Sequence, residues 1–78
     1  MMNSESRTTA QLIEYMAEMS GKSKGSISNS LGKARNYINC YISKKRTPNI
    51  SLFVKIAKAC GYEVHIIGHD EDITLDLE

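Results

Sequence analysis

The stretch Ser23-Lys24-Gly25-Ser26-Ile27-Ser28-Asn29-Ser30-Leu31-Gly32-Lys33-Ala34-Arg35-Asn36-Tyr37-Ile38-Asn39-Cys40-Tyr41 decides the fold. Ser23 offers a side-chain oxygen that can cap a helix, and Ile27 and Leu31 follow four residues apart, so a helix of about two turns turns them inward. Gly32 tolerates a positive φ and permits a sharp turn. A further helix is expected from Ala34, with Ala34, Ile38 and Tyr41 inward at i, i+4 and i+7. Asn36, Asn39, Cys40 and Ser43 then face outward, flanked by Arg35 and Tyr37.

The pattern extends in both directions. Upstream, Thr8 and Gln11 have the form of a capping box, and Leu12, Tyr15, Met16 and Met19 recur at helical spacing up to Gly21. Downstream, Lys44-Lys45-Arg46-Thr47-Pro48 reads as a loop, because the residue before a proline is pushed away from helical angles. Asn49 caps a fourth helix whose apolar positions, Ile50, Leu52, Phe53, Val54, Ile56, Ala57 and Cys60, cover more than one stripe, and Gly61 ends it. Val64, Ile66 and Ile67 are β-prone, and Ile73, Leu75 and Leu77 alternate with Thr74, Asp76 and Glu78, which predicts two strands joined by a turn over Gly68 to Asp72. Such a ribbon is marginal alone, so its apolar row is expected to pack on the fourth helix or pair with a second subunit.

A chain of 78 residues, 41% hydrophobic and 24% charged, encloses one modest core and excludes most enzyme folds. A core of this size gains stability from a partner subunit. The longest apolar stretches are broken by Glu14, Glu18, Lys55 or Lys58, short of a membrane span, and no secretory signal is read, so a cytoplasmic protein without membrane contact is expected. The net charge of +1 hides a segregation. Every Lys and Arg except Arg7 lies between Met19 and Tyr62, where there is no Asp or Glu. Glu5, Glu14 and Glu18 make the first part acidic, and Glu63, Asp70, Glu71, Asp72, Asp76 and Glu78 the last. A basic, acid-free middle suits a polyanion, and in an intracellular domain the usual one is nucleic acid.

Two short helices around a glycine turn, the second presenting Arg and Asn, suit a major groove, which admits one helix. Arginine pairs with guanine and asparagine with adenine in bidentate fashion, so Arg35, Asn36 and Asn39 suit base edges. Lys24, at the start of the earlier helix, and Lys44, Lys45 and Arg46, in the loop after the later one, suit phosphates on either side. Through Ser23-Lys24-Gly25-Ser26-Ile27-Ser28-Asn29-Ser30-Leu31-Gly32, Ile38, Lys45-Arg46-Thr47-Pro48 and Leu52-Phe53-Val54-Lys55-Ile56-Ala57-Lys58-Ala59-Cys60-Gly61, the chain resembles the small helix-turn-helix regulators typified by phage repressor and Cro proteins. The resemblance runs without gaps from Ser23 to Gly61. It implies a mainly α fold, a four-helix phage-repressor-like helix-turn-helix domain with its core over about 8–61, encoded by a prokaryote or a phage; the short C-terminal β-hairpin over about 62–78 is the dimerisation element expected from the small core, the apolar fourth helix and the strands themselves. The resemblance also implies base contacts from Arg35, Asn36, Tyr37 and Asn39 and a phosphate grip from Lys24. The chain departs from the family pattern at Ser28, where a small residue is common, at Ala34, where a capping Ser or Thr is common, and at Ile42-Ser43-Lys44, which stands for Glu-Asn-Gly, so that either Lys44 takes the backbone shape of a glycine or the loop differs.

Other chemistries fit less well. Cys40, Cys60, His65 and His69 lack the close cysteine pair of zinc fingers, and Asp70-Glu71-Asp72 lacks calcium-loop spacing. Reduced thiols and solvated carboxylates explain them, so no metal and no cofactor is expected. No nucleophile and base are grouped, which argues against an enzyme. Tyr15, Tyr41 and Tyr62 read as core or interface, and Tyr37 alone as facing DNA. The expected function is that of a homodimeric double-stranded DNA-binding regulator, a repressor on an inverted repeat, with reading helices about 34 to 36 Å apart. Two alternatives stand beside it: an antitoxin or restriction-control regulator that also meets a protein through the C-terminal strands, and an interaction adaptor that reads no DNA.

Overall fold

A computed structural model describes residues 6–77 of the chain. Four helices, α1 (Thr9–Ser20), α2 (Lys24–Ser30), α3 (Tyr37–Ser43) and α4 (Ile50–Ala59), precede two antiparallel strands, β1 (His65–Gly68) and β2 (Glu71–Thr74). The protein is thus small and mainly helical with a two-stranded C-terminal hairpin. Glu5 and Glu78, assigned above to the acidic ends, lie outside the described residues, as do the outermost residues of the single domain expected over 1–78.

The capping box at Thr8 forms: Gln11 N–H donates to Thr8 Oγ1 at 3.2 Å and Thr8 N–H to Gln11 Oε1 at 2.9 Å. The buried face of α1 differs from the expected one. Ala10, Ile13, Met16 and Ala17 are buried, whereas Tyr15 is exposed and Met19 is 59% exposed. Two apolar stripes overlap at Met16, and the one with two alanines faces the core. Ile13, Met16 and Ala17 join Ile27, Ile38, Ile56, Ala57 and Cys60 in that core.

Helix α2 begins as expected, with Ser23 Oγ accepting from Ser26 N–H at 3.0 Å. Helix α3 does not. It starts at Tyr37 rather than Ala34, so Arg35 and Asn36 precede it, and Ala34 is exposed instead of buried. Asn36 occupies the N-cap position without a side-chain hydrogen bond. The first amides of a helix need acceptors from outside it, and here they come from elsewhere. Tyr37 N–H donates to Ala34 C=O at 3.0 Å, and Ile38 N–H donates at 3.0 Å to the hydroxyl of Ser28 in α2. Ser28 is fully buried and itself donates to Lys24 C=O at 2.8 Å.

Helices α2, α3 and α4 end alike. The residue after each C-cap takes a left-handed conformation, and two amides turn back onto the last carbonyls. At α2 and α4 that residue is glycine, Gly32 (φ 75°) and Gly61 (φ 84°). At α3 it is Lys45 (φ 52°), with Lys45 N–H reaching Ile42 C=O at 3.3 Å and Arg46 N–H reaching Tyr41 C=O at 3.0 Å. The glycine-like backbone expected at Lys44 therefore belongs to Lys45, because Lys44 still closes the helix with φ −94°. Asn49 caps α4 by accepting from Leu52 N–H at 2.8 Å, and Lys22 Nζ donates to Ala59 C=O at its far end.

The hairpin is tighter than expected. Gly68 pairs with Glu71, which leaves a turn of His69 and Asp70, both at positive φ, in place of Gly68 to Asp72. That geometry matches the twist of the strands, at the cost of two non-glycine residues in the left-handed region. Only Ile73 of the alternating row lies in β2, although Leu75 N–H still donates to Val64 C=O at 2.8 Å. All residues of both strands are exposed. The ribbon therefore does not lie on α4 along its length. Contact with the body is made at its base, through Tyr62 and Val64 beside the core and the Lys58–Asp76 ion pair at 3.2 Å, and just beyond β2, where half-buried Leu75 and Leu77 of the apolar row line a hollow with Ile50, Ser51 and Lys55 of α4.

Ser28→Ala leaves the Ile38 amide buried without an acceptor and should lower stability by about 1–3 kcal/mol in urea unfolding. A loss under about 0.5 kcal/mol would show that the bond does not matter. On the hairpin, hydrogen bonds first to Glu63 and then to Asp72 raise the His65 pKa above its ordinary 6.5. The protonated ring is the favoured partner, so this contribution is complete below pH 6.5 and is lost as pH rises through the raised value. An NMR titration should place His65 above 6.5, and Glu63→Gln should move it back down.

Candidate nucleic-acid interface

Three exposed residues, Asn36, Asn39 and Ser43, recur at i, i+3 and i+7 and form a polar stripe along α3 and its N-cap. Ile38 faces the opposite way, fully buried, and ties the helix to the core. Ser43 belongs to this stripe, on the outward face where its spacing placed it, although no DNA contact was assigned to it.

Tyr37, expected to face DNA, stands at the N-terminus of α3. It is half-buried beside the core and meets Tyr41 edge to face at 5.2 Å, with hydroxyls 3.5 Å apart. The hydrogen bond to Tyr41, and then burial, raise its pKa. A cation caps each end of this pair: Lys33 Nζ lies 5.4 Å from the Tyr37 ring centre and the Arg46 guanidinium 5.6 Å from that of Tyr41. Such contacts contribute about 0.5–1 kcal/mol at exposed sites, enough to bias a long side chain without fixing it. Lys33 was also missed in the sequence reading.

The remaining candidate residues divide by what they touch. Lys24 is half-buried and pairs with Glu14 at 3.7 Å. Arg35 is exposed in the turn before α3, its guanidinium against Gly25. Lys44, Lys45 and Arg46 are exposed directly after α3. Among the described residues, none of Lys33, Arg35, Lys44, Lys45 or Arg46 forms an ion pair with a carboxylate. Uncompensated cations thus flank both ends of a helix about 10 Å long.

Neither cysteine contributes to this surface as a ligand group. Cys60 is buried in the core, which pushes its thiol pKa up, and Cys40 is half-buried. Among the described residues no group of His, Cys, Asp and Glu is arranged to hold a metal ion, and no helix is long and apolar enough to cross a membrane. A concavity of about 640 Å³ lies away from α3, between α1, α4 and the base of the hairpin, where Leu12, Met16, Phe53 and Val64 line it. No family model, curated protein or solved structure matches the chain.

Lys45→Gly tests both aspects of the loop. Relief of the left-handed lysine should raise stability by about 1 kcal/mol in thermal unfolding. If the same lysine meets a phosphate, the slope of log affinity for DNA against log salt should flatten by about one unit. A rise in stability with an unchanged slope would confine Lys45 to the backbone role.

Proposed function

We propose that the chain is a sequence-specific double-stranded DNA-binding regulator of the kind typified by phage repressor and Cro proteins. It acts as a homodimer on an inverted repeat and represses by blocking access to the site. The observation that carries this reading is the stripe of Asn36, Asn39 and Ser43 on α3 between two groups of uncompensated cations. Amide and hydroxyl groups recognise base edges and flanking cations hold phosphates, so one short helix combines selection with grip. In this assignment Arg35, Asn36 and Asn39 read bases. Lys24, Lys44, Lys45 and Arg46 position the backbone, joined by Lys33. Tyr37 acts from behind, as the packed ring beneath Lys33.

The hairpin supplies the dimer contact. Ile66 and Ile73 are paired directly across the strands and stand on one face at 63% and 53% exposure, and Ile67 on the other at 68%. A ribbon with this much uncovered aliphatic surface is stabilised by a second copy. The same surface, with Asp70, Glu71 and Asp72 at its tip, favours a second reading in which it docks a basic protein, as in an antitoxin or restriction-control regulator.

Fluorescence anisotropy on the upstream intergenic DNA of its own gene and on scrambled duplex, across a salt series, tests the function. The specific site should bind at least about a thousandfold more tightly, with steep salt dependence. Asn39→Ala should cost about 1–3 kcal/mol and relax the preference at particular base pairs. Light scattering on the same sample should give the mass of two chains. Equal, weak binding of both duplexes would overturn the DNA reading and leave the basic surface without a specific ligand.

A further inference from the structure

Gly25 lies in the first turn of α2, a helix of seven residues. Glycine there is costly to helix formation relative to alanine, and its φ is not in the left-handed region that would call for it. The space beside it explains its presence. A Cβ on Gly25 would stand 3.1 Å from Cζ and Nη2 of Arg35 and 3.3 Å from its Nε. The guanidinium therefore rests against the backbone of α2, in the volume that any side chain at position 25 would claim.

Arg35 reaches this place from the turn between Gly32 and α3, across the joint between the two helices. No carboxylate holds it there among the described residues. Resting a flat guanidinium on bare peptide restricts a long, rotamer-rich side chain and still leaves its planar fork of N–H donors free to pair.

We propose that Gly25 is a positioning residue whose missing side chain forms a seat for the Arg35 guanidinium and holds it ready for its contact with DNA. The inference rests on the DNA-reading function proposed above and goes further, since it gives a residue that touches no base a share in affinity and specificity. The physical basis is preorganisation: ordering before binding lowers the entropy lost at binding.

The test uses Gly25→Ala, Gly25→Leu, Arg35→Ala and the two double variants, on a duplex selected in vitro by the wild-type protein and on scrambled DNA. Nitrogen relaxation of Arg35 Nε–H in the free protein should report a restricted group in the wild type and a mobile one in both Gly25 variants. Both variants should melt at or above the wild-type temperature, since each residue forms helix better than glycine. Each should bind the selected duplex about three- to tenfold more weakly. In the Arg35→Ala background neither should weaken binding further, because the group to be seated is gone. A mobile Arg35 in the wild type overturns the seat. So does wild-type affinity in both Gly25 variants, or an equal loss with and without Arg35. Failure of selection to enrich any duplex overturns the DNA-reading function, and with it the purpose of the seat, while the relaxation data still report whether the seat exists.

Discussion

A single buried hydroxyl joins the two helices on which the proposed interface depends. Ser28 Oγ donates to a carbonyl one turn back in α2 and accepts from the second amide of α3, so the later helix is capped from the earlier one. The usual cap would come from the residue just before α3, yet Asn36 makes no such bond. With the cap delivered from Ser28, Asn36 remains exposed with its amide uncommitted, and Arg35 remains outside the helix where it can reach Gly25. An unsatisfied amide at a buried position is costly, which makes this joint directional as well as tight. Ile27 and Ile38, both fully buried, supply the apolar contact on either side of it.

The basic residues divide between structural and free roles, and the free ones gather around α3, with Lys55 on α4 apart from them. Lys22 binds the last carbonyl of α4, Lys58 pairs with Asp76, and Arg7 lies over the Tyr15 ring, while Lys24, at the edge of the proposed interface, pairs with Glu14. Around α3, by contrast, Lys33 and Arg46 rest on aromatic faces, and Lys44 and Lys45 extend from a helix end without a carboxylate near them. An aromatic face orients a cation without neutralising it, so the field around α3 stays positive in a molecule whose net charge is only +1.

The hairpin has two unlike faces. Ile66 and Ile73 stand on one. On the other, His65 bonds to Glu63 and Asp72, with Thr74 Oγ1 3.4 Å from its ring nitrogen. Cross-strand polar contacts hold the register while the isoleucines stay uncovered, and register is what a ribbon with little burial would otherwise lose. The turn at His69 and Asp70 carries two positive φ angles without a glycine, so the strands must hold the turn as much as the turn holds the strands.

The caps at Thr8, Ser23 and Asn49 were legible in the sequence because capping depends on neighbours within a few residues, and the same holds for Gly32 and Gly61 at helix ends. The helix periodicity around Ile38 and Ile56 and the presence of two C-terminal strands were legible for the same reason. The start of α3 was not, because its cap comes from Ser28, ten residues upstream. Its end was masked as well, since a lysine stands where the other helices have glycine. Which stripe of α1 is buried depended on packing against the other helices, and the half-buried setting of Tyr37 depended on Tyr41 and the core beside it. The sequence by itself determined the elements, their order and the sign of charge in each part, all set by local chemistry. Tertiary structure decided where α3 begins and where Arg35 rests, because each depends on atoms brought together across the joint between α2 and α3, and which cations remain free, because their partners come from distant parts of the chain.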